Sequence, residues 1–240
     1  MSRIAPLSSQ PRPLAALPAQ LAALASERCV DFIALAEAGP LLQERLGDAE
    51  FAAQLARVWS CSDYAAQQAY QHPSLFISQI KSGELWRSWS GAEWAGQLDA
   101  ALAGCASEEQ LAAALRQFRR RAMLRIIWRD LAGLAPLLET TADMSALAEV
   151  CVRAALAFLT PLAEAQWGQP VGRDSGTVQQ LLVLGMGKLG GYELNVSSDI
   201  DLIFCYPERG ETGLPPLDLL SRGALEFEKA DREKFRCLEL

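Results

Sequence analysis

Lysine is scarce in this chain: Lys81, Lys188, Lys229 and Lys234 are the only four in 240 residues, against many arginines. Histidine occurs once, as His72, and because it precedes Pro73 it reads as a helix end, with no pattern around it to support catalysis. The six cysteines (Cys29, Cys61, Cys105, Cys151, Cys205 and Cys237) include no C-x-x-C spacing. That argues against a zinc site and against a disulfide framework, and leaves intracellular thiols that mainly pack. The formal net charge of −7 speaks against a broad nucleic-acid surface. No apolar run comes near the roughly 20 residues of a membrane span. The stretch 14–25 ends in Ala-Leu-Ala before Ser26, like a signal-peptide cleavage site, but Pro18 and Gln20 interrupt it and only Arg3 and Arg12 flank it. The expectation is a cytoplasmic protein with no nucleic-acid and no membrane partner. There is no internal repeat.

Alanine and leucine are abundant instead. Hydrophobic residues make up 50% of the chain, which favours helices and supplies ample material for a core. Residues 1–18, with Pro6, Pro11, Pro13 and Pro18, read as a disordered leader. Helices are then predicted over 19–38, 41–58, 63–71, 74–81 and 91–103, punctuated by Pro40, Pro73 and the break at Lys81-Ser82-Gly83. Ser107 with Gln110 forms a capping-box signature opening a long helix to about residue 134. Pro136 ends it, and Thr140 with Asp143 predicts the start of another that runs to Trp167. Residues 169–177, with Pro170, two glycines and Asp174, read as a linker. In the long helix Arg121, Arg125 and Arg129 fall on one stripe with Arg116 and Arg120 beside it. Two readings are open: a solvated face opposite Leu111, Leu115, Phe118, Ala122 and Ile126, which is favoured, or a set of phosphate and partner contacts. Trp59, Trp86, Trp89, Trp94 and Trp128 read as packing residues.

The most informative segment is 181–206, LLVLGMGKLGGYELNVSSDIDLIFCY. Residues 181–184 read as a buried strand. Gly185, Gly187, Gly190 and Gly191 follow, where absent Cβ atoms let backbone N–H groups approach an anion. Asp199 and Asp201 stand two apart at the start of a second strand, so their carboxylates share a face. Two carboxylates so close call for a cation, and Mg²⁺ fits because it takes hard oxygen ligands shared with phosphates. Lys188 is either a phosphate-neutralising ammonium or an exposed turn residue, and both readings stay open. Asn195, Ser197 and Ser198 either cap the turn or bond the nucleotide. Rival readings exist. Gly185-Met186-Gly187-Lys188-Leu189-Gly190 matches the dinucleotide fingerprint, with Glu208 near the ribose-acid distance, but 191–198 leaves room for only about two helical turns. A Walker loop fails because Leu189 follows Lys188. A solvated edge hairpin with incidental acids is the plain alternative.

GMGKLGGYELNVSSDIDLIF resembles the signature of the glutamine synthetase adenylyltransferase/adenylyl-removing enzyme family, within the nucleotidyltransferase superfamily typified by DNA polymerase β. A second segment agrees: 115–134, LRQFRRRAMLRIIWRDLAGL, is similar to the arginine-rich helix these enzymes carry upstream. The likeness covers about 51–218. It implies a mainly α fold with a small α/β part: a helical bundle (19–135) leading into the first strands of a polymerase-β-like nucleotidyltransferase domain (136–218), expected to be incomplete, then a divergent charged tail (219–240). It implies Asp199 and Asp201 as catalytic and Mg²⁺-binding, and Gly187, Lys188, Gly190, Gly191 and Ser198 as nucleotide-binding. It also implies ATP or ADP and phosphate as small-molecule partners, glutamine synthetase as the protein substrate, and a PII-type signalling protein as a regulator. The reaction the resemblance implies is transfer of AMP to a tyrosine or its phosphorolytic removal, with removal expected of the first of two catalytic units. Departures exist: Tyr192 and Val196 stand where relatives often have a small or basic residue and an aromatic. No Asp-x-Arg-Leu-Arg-Pro segment supplies a third catalytic acid, so a truncated product is expected, and the alternative is an inactive helical remnant or interaction module.

Overall fold

The computed structural model describes residues 16–35 and 38–212; the expected tail at 219–240 and nearly all of the expected leader at 1–18 lie outside the described residues. Eight α-helices come first among the described residues, with a 3-10 turn (Glu84–Trp86) between the fifth and sixth: α1 (Ala19–Ile33), α2 (Gly39–Arg45), α3 (Ala49–Cys61), α4 (Asp63–Gln71), α5 (Pro73–Ser82), α6 (Gly91–Leu102), α7 (Glu108–Leu131) and α8 (Leu137–Trp167). A short strand β1 (Pro170–Gly172) follows, then β2 (Leu182–Gly185), the single-turn helix α9 (Gly187–Gly190), β3 (Leu202–Cys205) and β4 (Gly210–Thr212). The chain is mainly α with a small α/β part, as expected.

Most helix boundaries follow their predicted breakers, and the differences have local causes. The helix predicted over 41–58 is two helices, because the Asp48 carboxylate accepts the amides of Glu50 and Phe51 at 3.0 and 3.3 Å and starts α3 afresh. Ser107 caps α7 as anticipated, accepting the Gln110 amide at 3.3 Å, while Gln110 Oε1 reaches back to the amide of Ala106 at 2.7 Å. His72 sits at the junction that ends α4 and opens α5, with Pro73 at the first helical position. Thr140 and Asp143 do not start a helix. The start is at Pro136, and both side chains lie buried inside α8, where Thr140 bonds Asp130 and Asp143 pairs with Arg125. By length and composition α8 could cross a membrane, contrary to the expectation that no run comes near. Its buried residues, Leu147, Cys151, Val152 and Ala155 among them, face the bundle, where α8 packs on α6 and α7.

The core is aromatic. Phe32, Trp59 and Phe76 cluster with centroids 5.5–5.8 Å apart, and Phe51, Trp86 and Trp128 continue the cluster at 5.6–6.1 Å. Trp89 meets Trp94 edge-on at 4.7 Å. All five tryptophans expected to pack do so. Such offset and edge contacts suit the ring quadrupoles and add to what burial contributes.

The strands form two nested antiparallel ladders. β2 pairs β3 from Leu182↔Cys205 to Gly185↔Leu202, and outside it β1 pairs β4 from Pro170↔Thr212 to Gly172↔Gly210. The segment expected as a linker therefore contains a strand, closed by a bridge from Val171 to Val178. Nor is β2 buried as expected: Leu182 and Leu184 are about half exposed, with Ile203 beside them across the ladder, because the described residues cover only one face of this two-stranded sheet. The inner hairpin is seated on the bundle through Leu194, which is buried in the common core, with Leu189, Val196 and Ile200 packed around it.

Candidate nucleotide and metal site

β2 delivers the chain to the glycine turn, and β3 carries it away from the acid pair. The antiparallel ladder continues one step beyond both strands, since the Met186 amide donates to the Asp201 carbonyl at 2.9 Å. That bond fixes the backbone of Asp201 opposite the residue that opens the turn. Asp199 and Asp201 precede β3 rather than lie on it. Exposure alternates from Ser198 to Phe204: Asp199 and Asp201 are exposed, while Ile200 and Leu202 are half-buried, with Ile200 against the core. This is the pattern of extended backbone with both carboxylates on the open side.

Within the turn the glycines have distinct duties. Gly187 has φ of +53°, a region in which a side chain is strained. A Cβ on Gly190 would lie 2.5 Å from the carbonyl oxygen of Gly185, so only glycine lets α9 fold back onto the end of β2. The amides of Gly190 and Gly191 were expected to face an anion. Instead they donate to the carbonyls of Met186 (3.2 Å) and Gly187 (2.9 Å), because the segment closes into one helical turn. Tyr192, at φ of 59°, then reverses the chain.

The polar residues between turn and acids form one network. Asn195 Oδ1 accepts from the hydroxyls of Ser198 at 2.7 Å and Ser197 at 3.3 Å, and the Ser198 amide donates to the Asn195 carbonyl. Lys188 Nζ donates to Ser198 Oγ at 3.2 Å. Lys188 thus holds its ammonium beside the residue that precedes Asp199, with no ion pair among the described residues. The capping reading of Asn195 and the serines accounts for these bonds.

The dinucleotide reading does not survive. Its fold needs parallel strands joined by a full helix, whereas β2 and β3 are antiparallel and joined through a single turn. Glu208 is occupied elsewhere, accepting the amides of Asp174 and Ser175 and the Gln179 side chain. Its hydrogen bonds, that to Ser175 foremost, hold its carboxyl below the ordinary range.

The arginine stripe is a correction. Arg125 is fully buried and Arg129 is 4% exposed, so neither is solvated. Arg125 pairs with Asp143 at 2.9 Å, donates twice to the Arg87 carbonyl and lies 4.4 Å over the Trp89 ring. Arg129 pairs with Glu139 and donates to the Trp86 carbonyl, and Arg121 forks onto Glu84. These arginines bind the bundle together, their charges met by Glu84, Asp143 and Glu139. Burial pushes the Asp143 carboxyl above its ordinary range although Arg125 pulls the other way. Arg116 and Arg120 do reach the surface, in a shallow groove of about 230 Å³ shared with His72 and Gln117.

No group of three or more His, Cys, Asp and Glu side chains comes together among the described residues. Asp199 and Asp201 form a donor pair of hard oxygens that suits Mg²⁺, an ion that completes its shell with water and phosphate. They do not form a closed protein cage.

Comparison with known proteins agrees with the residues. The family described as glutamate-ammonia ligase adenylyltransferase matches residues 52–217. A bifunctional glutamine synthetase adenylyltransferase/adenylyl-removing enzyme of Pseudomonas aeruginosa is 46% identical over 183 residues, 76% of this chain and 18% of that protein. Proteins of the same description from Nitrosococcus oceani (46% over 158 residues; 66% of this chain, 16% of that one) and Shewanella loihica (43% over 178; 74% and 18%) are similar. The chain spans less than a fifth of the length of these relatives.

Proposed function

This chain belongs to the glutamate-ammonia ligase adenylyltransferase family, and from that membership we propose that residues 185–201 form an adenylyl-transfer site acting on glutamine synthetase. The reading is carried by one juxtaposition: a glycine turn that only Gly190 allows, joined through Met186 and Lys188 to the segment bearing Asp199 and Asp201. In the removal direction, which we assign to this unit, an oxygen of inorganic phosphate attacks the phosphorus of tyrosyl-AMP. A new P–O bond gives ADP as the bond to the tyrosine oxygen breaks, and the phenolate takes up a proton. In the transfer direction the tyrosine oxygen would attack the α-phosphorus of ATP, forming tyrosyl-AMP as the bond to the β-phosphate breaks and pyrophosphate leaves. A PII-type signalling protein as regulator, and a place in the cytoplasm, belong to the same proposal.

Asp199 and Asp201 would hold Mg²⁺, which would offset charge on the phosphate oxygens when bound. The chain's own residues do the remainder. Lys188 offers a compact positive charge beside the polyphosphate. Gly187, Gly190 and Gly191 keep the turn free of side chains so that phosphate can come close. Ser198 holds Lys188 in register with the acids. The commitment of the Gly190 and Gly191 amides to the carbonyls of Met186 and Gly187 favours a second reading, a helical module that binds no nucleotide.

Calorimetry separates the two. ATP and ADP should bind only with Mg²⁺, and Asp199→Asn with Asp201→Asn should abolish binding while leaving thermal unfolding unchanged, since both side chains are exposed. Absence of binding by the unaltered chain selects the second reading.

A further inference from the structure

We infer that Ser145, in the middle of the bundle, is a positioning residue for the metal-binding segment, a role that rests on the adenylyl-transfer reading above. Ser145 is fully buried on α8. Its hydroxyl donates to the Thr141 carbonyl at 2.9 Å, so its proton is committed within the helix, and its oxygen accepts the Leu194 amide at 3.1 Å. Leu194 is itself 2% exposed and lies midway between the glycine turn and the acids. A buried amide in that place needs an acceptor, and a serine on the facing helix supplies it.

The consequence runs outward from this bond. Asn195, the next residue, ties Ser197 and Ser198, and Ser198 receives Lys188. Asp199 comes directly after. On the other side the Glu193 amide donates to the Lys188 carbonyl, closing the loop on itself. The loop is internally bonded, and Ser145 ties it to the rigid bundle at its centre. Two positions earlier on α8, Asp143 is held by Arg125, so the stretch of helix that presents Ser145 is fixed from behind. Ser145 touches neither metal nor nucleotide in this scheme; it acts by setting where Asp199 and Asp201 stand.

The test uses the full chain with Ser145→Ala, which removes one buried oxygen, Ser145→Thr, which keeps the hydroxyl, and Val58→Ala, which weakens the bundle away from α8. Amide exchange and Mg²⁺-dependent ADP binding are measured on each. Ser145→Ala should speed exchange at Leu194 and its neighbours while α7 stays protected, and should weaken Mg·ADP binding by about tenfold, the scale typical of a lost support behind metal ligands. Ser145→Thr should restore both, and Val58→Ala should lower the melting temperature without changing affinity. The inference is overturned if Ser145→Ala leaves exchange at Leu194 unchanged, or leaves Mg·ADP affinity unchanged in a chain whose unaltered form binds. If the unaltered chain binds no Mg·ADP, the functional reading falls and takes this role with it.

Discussion

Replacing Arg125 with alanine should destabilise the protein more than any surface change. Arg125 is fully buried: its guanidinium bonds Asp143 at 2.9 Å and the Arg87 carbonyl at 3.0 and 2.6 Å, and it stacks over Trp89 at 4.4 Å. The substitution strands a carboxylate that is 10% exposed and a main-chain acceptor, and it opens a cavity between α6, α7 and α8. Removing one member of a buried pair costs about 3–5 kcal/mol. For a domain of this size each kcal/mol is worth about 2–4 °C, so the melting temperature should fall by roughly 6–20 °C. Thermal and urea unfolding followed by circular dichroism measure it. The pair Arg125→Met with Asp143→Leu provides a second arm. It removes both charges, and apolar replacement of a buried pair is often neutral, so the remaining cost should come from the orphaned Arg87 carbonyl, about 1–3 kcal/mol, and from the Trp94 side chain, which loses its bond to Asp143. A solvated stripe would behave otherwise, with a change within about 0.5 kcal/mol for Arg125→Ala. That result, or a double variant no better than the single one, refutes the electrostatic account.

The glycines should divide by space rather than by conservation of type. Gly190→Ala places a Cβ 2.5 Å from the Gly185 carbonyl oxygen and should cost on the order of a hundredfold in Mg·ADP affinity through displacement of the turn, whereas Gly191→Ala, whose Cβ would lie 3.4 Å from Glu193, should cost far less; calorimetry compares them. The thiols should divide by depth: Cys61 is exposed and should react with a thiol reagent at once, the half-buried Cys29, pushed up to about 11 by burial, more slowly, and the buried Cys151, pushed up to about 12, only on unfolding. Because folding raises those two thiols above the ordinary value of 9.0, their contribution to stability is complete below that pH and is lost as pH climbs toward 12. Urea midpoints measured across that range should therefore fall, less steeply in Cys151→Ala.

What could be read beforehand was what depends on near neighbours. His72-Pro73, Ser107-Gln110 and the glycine turn each act over a few residues, and each stands where its chemistry places it. Asp48 was overlooked although its signal is of the same kind, a capping carboxylate ahead of Glu50 and Phe51, because the apolar period runs across it undisturbed. The arginines failed for a different reason. Helical spacing puts Arg121, Arg125 and Arg129 on a shared stripe, but it cannot say what stands opposite, and their acidic partners Glu84, Asp143 and Glu139 lie 37, 18 and 10 residues away. A charged stripe and a buried ion-pair ladder are identical in pattern and opposite in energy.

Ser145 belongs to the second class, and it explains why a motif is not yet a site. The Leu194 amide meets the Ser145 hydroxyl across 49 residues, a pairing that no periodicity announces. A small hydroxyl amid Met144, Ala146 and Leu147 reads as tolerated filler, since serine in a helix interior commonly bonds back to its own turn, as this one does to Thr141. The bond back to Thr141 leaves an oxygen lone pair free, and it is the second use, as an acceptor for a loop delivered by another part of the fold, that couples bundle to hairpin. The helical part is then more than a carrier for the glycine turn. It supplies the fixed point from which the spacing of turn and acids is measured, so a change inside α8 should be felt at Asp199 and Asp201 without any change in the residues that meet the nucleotide.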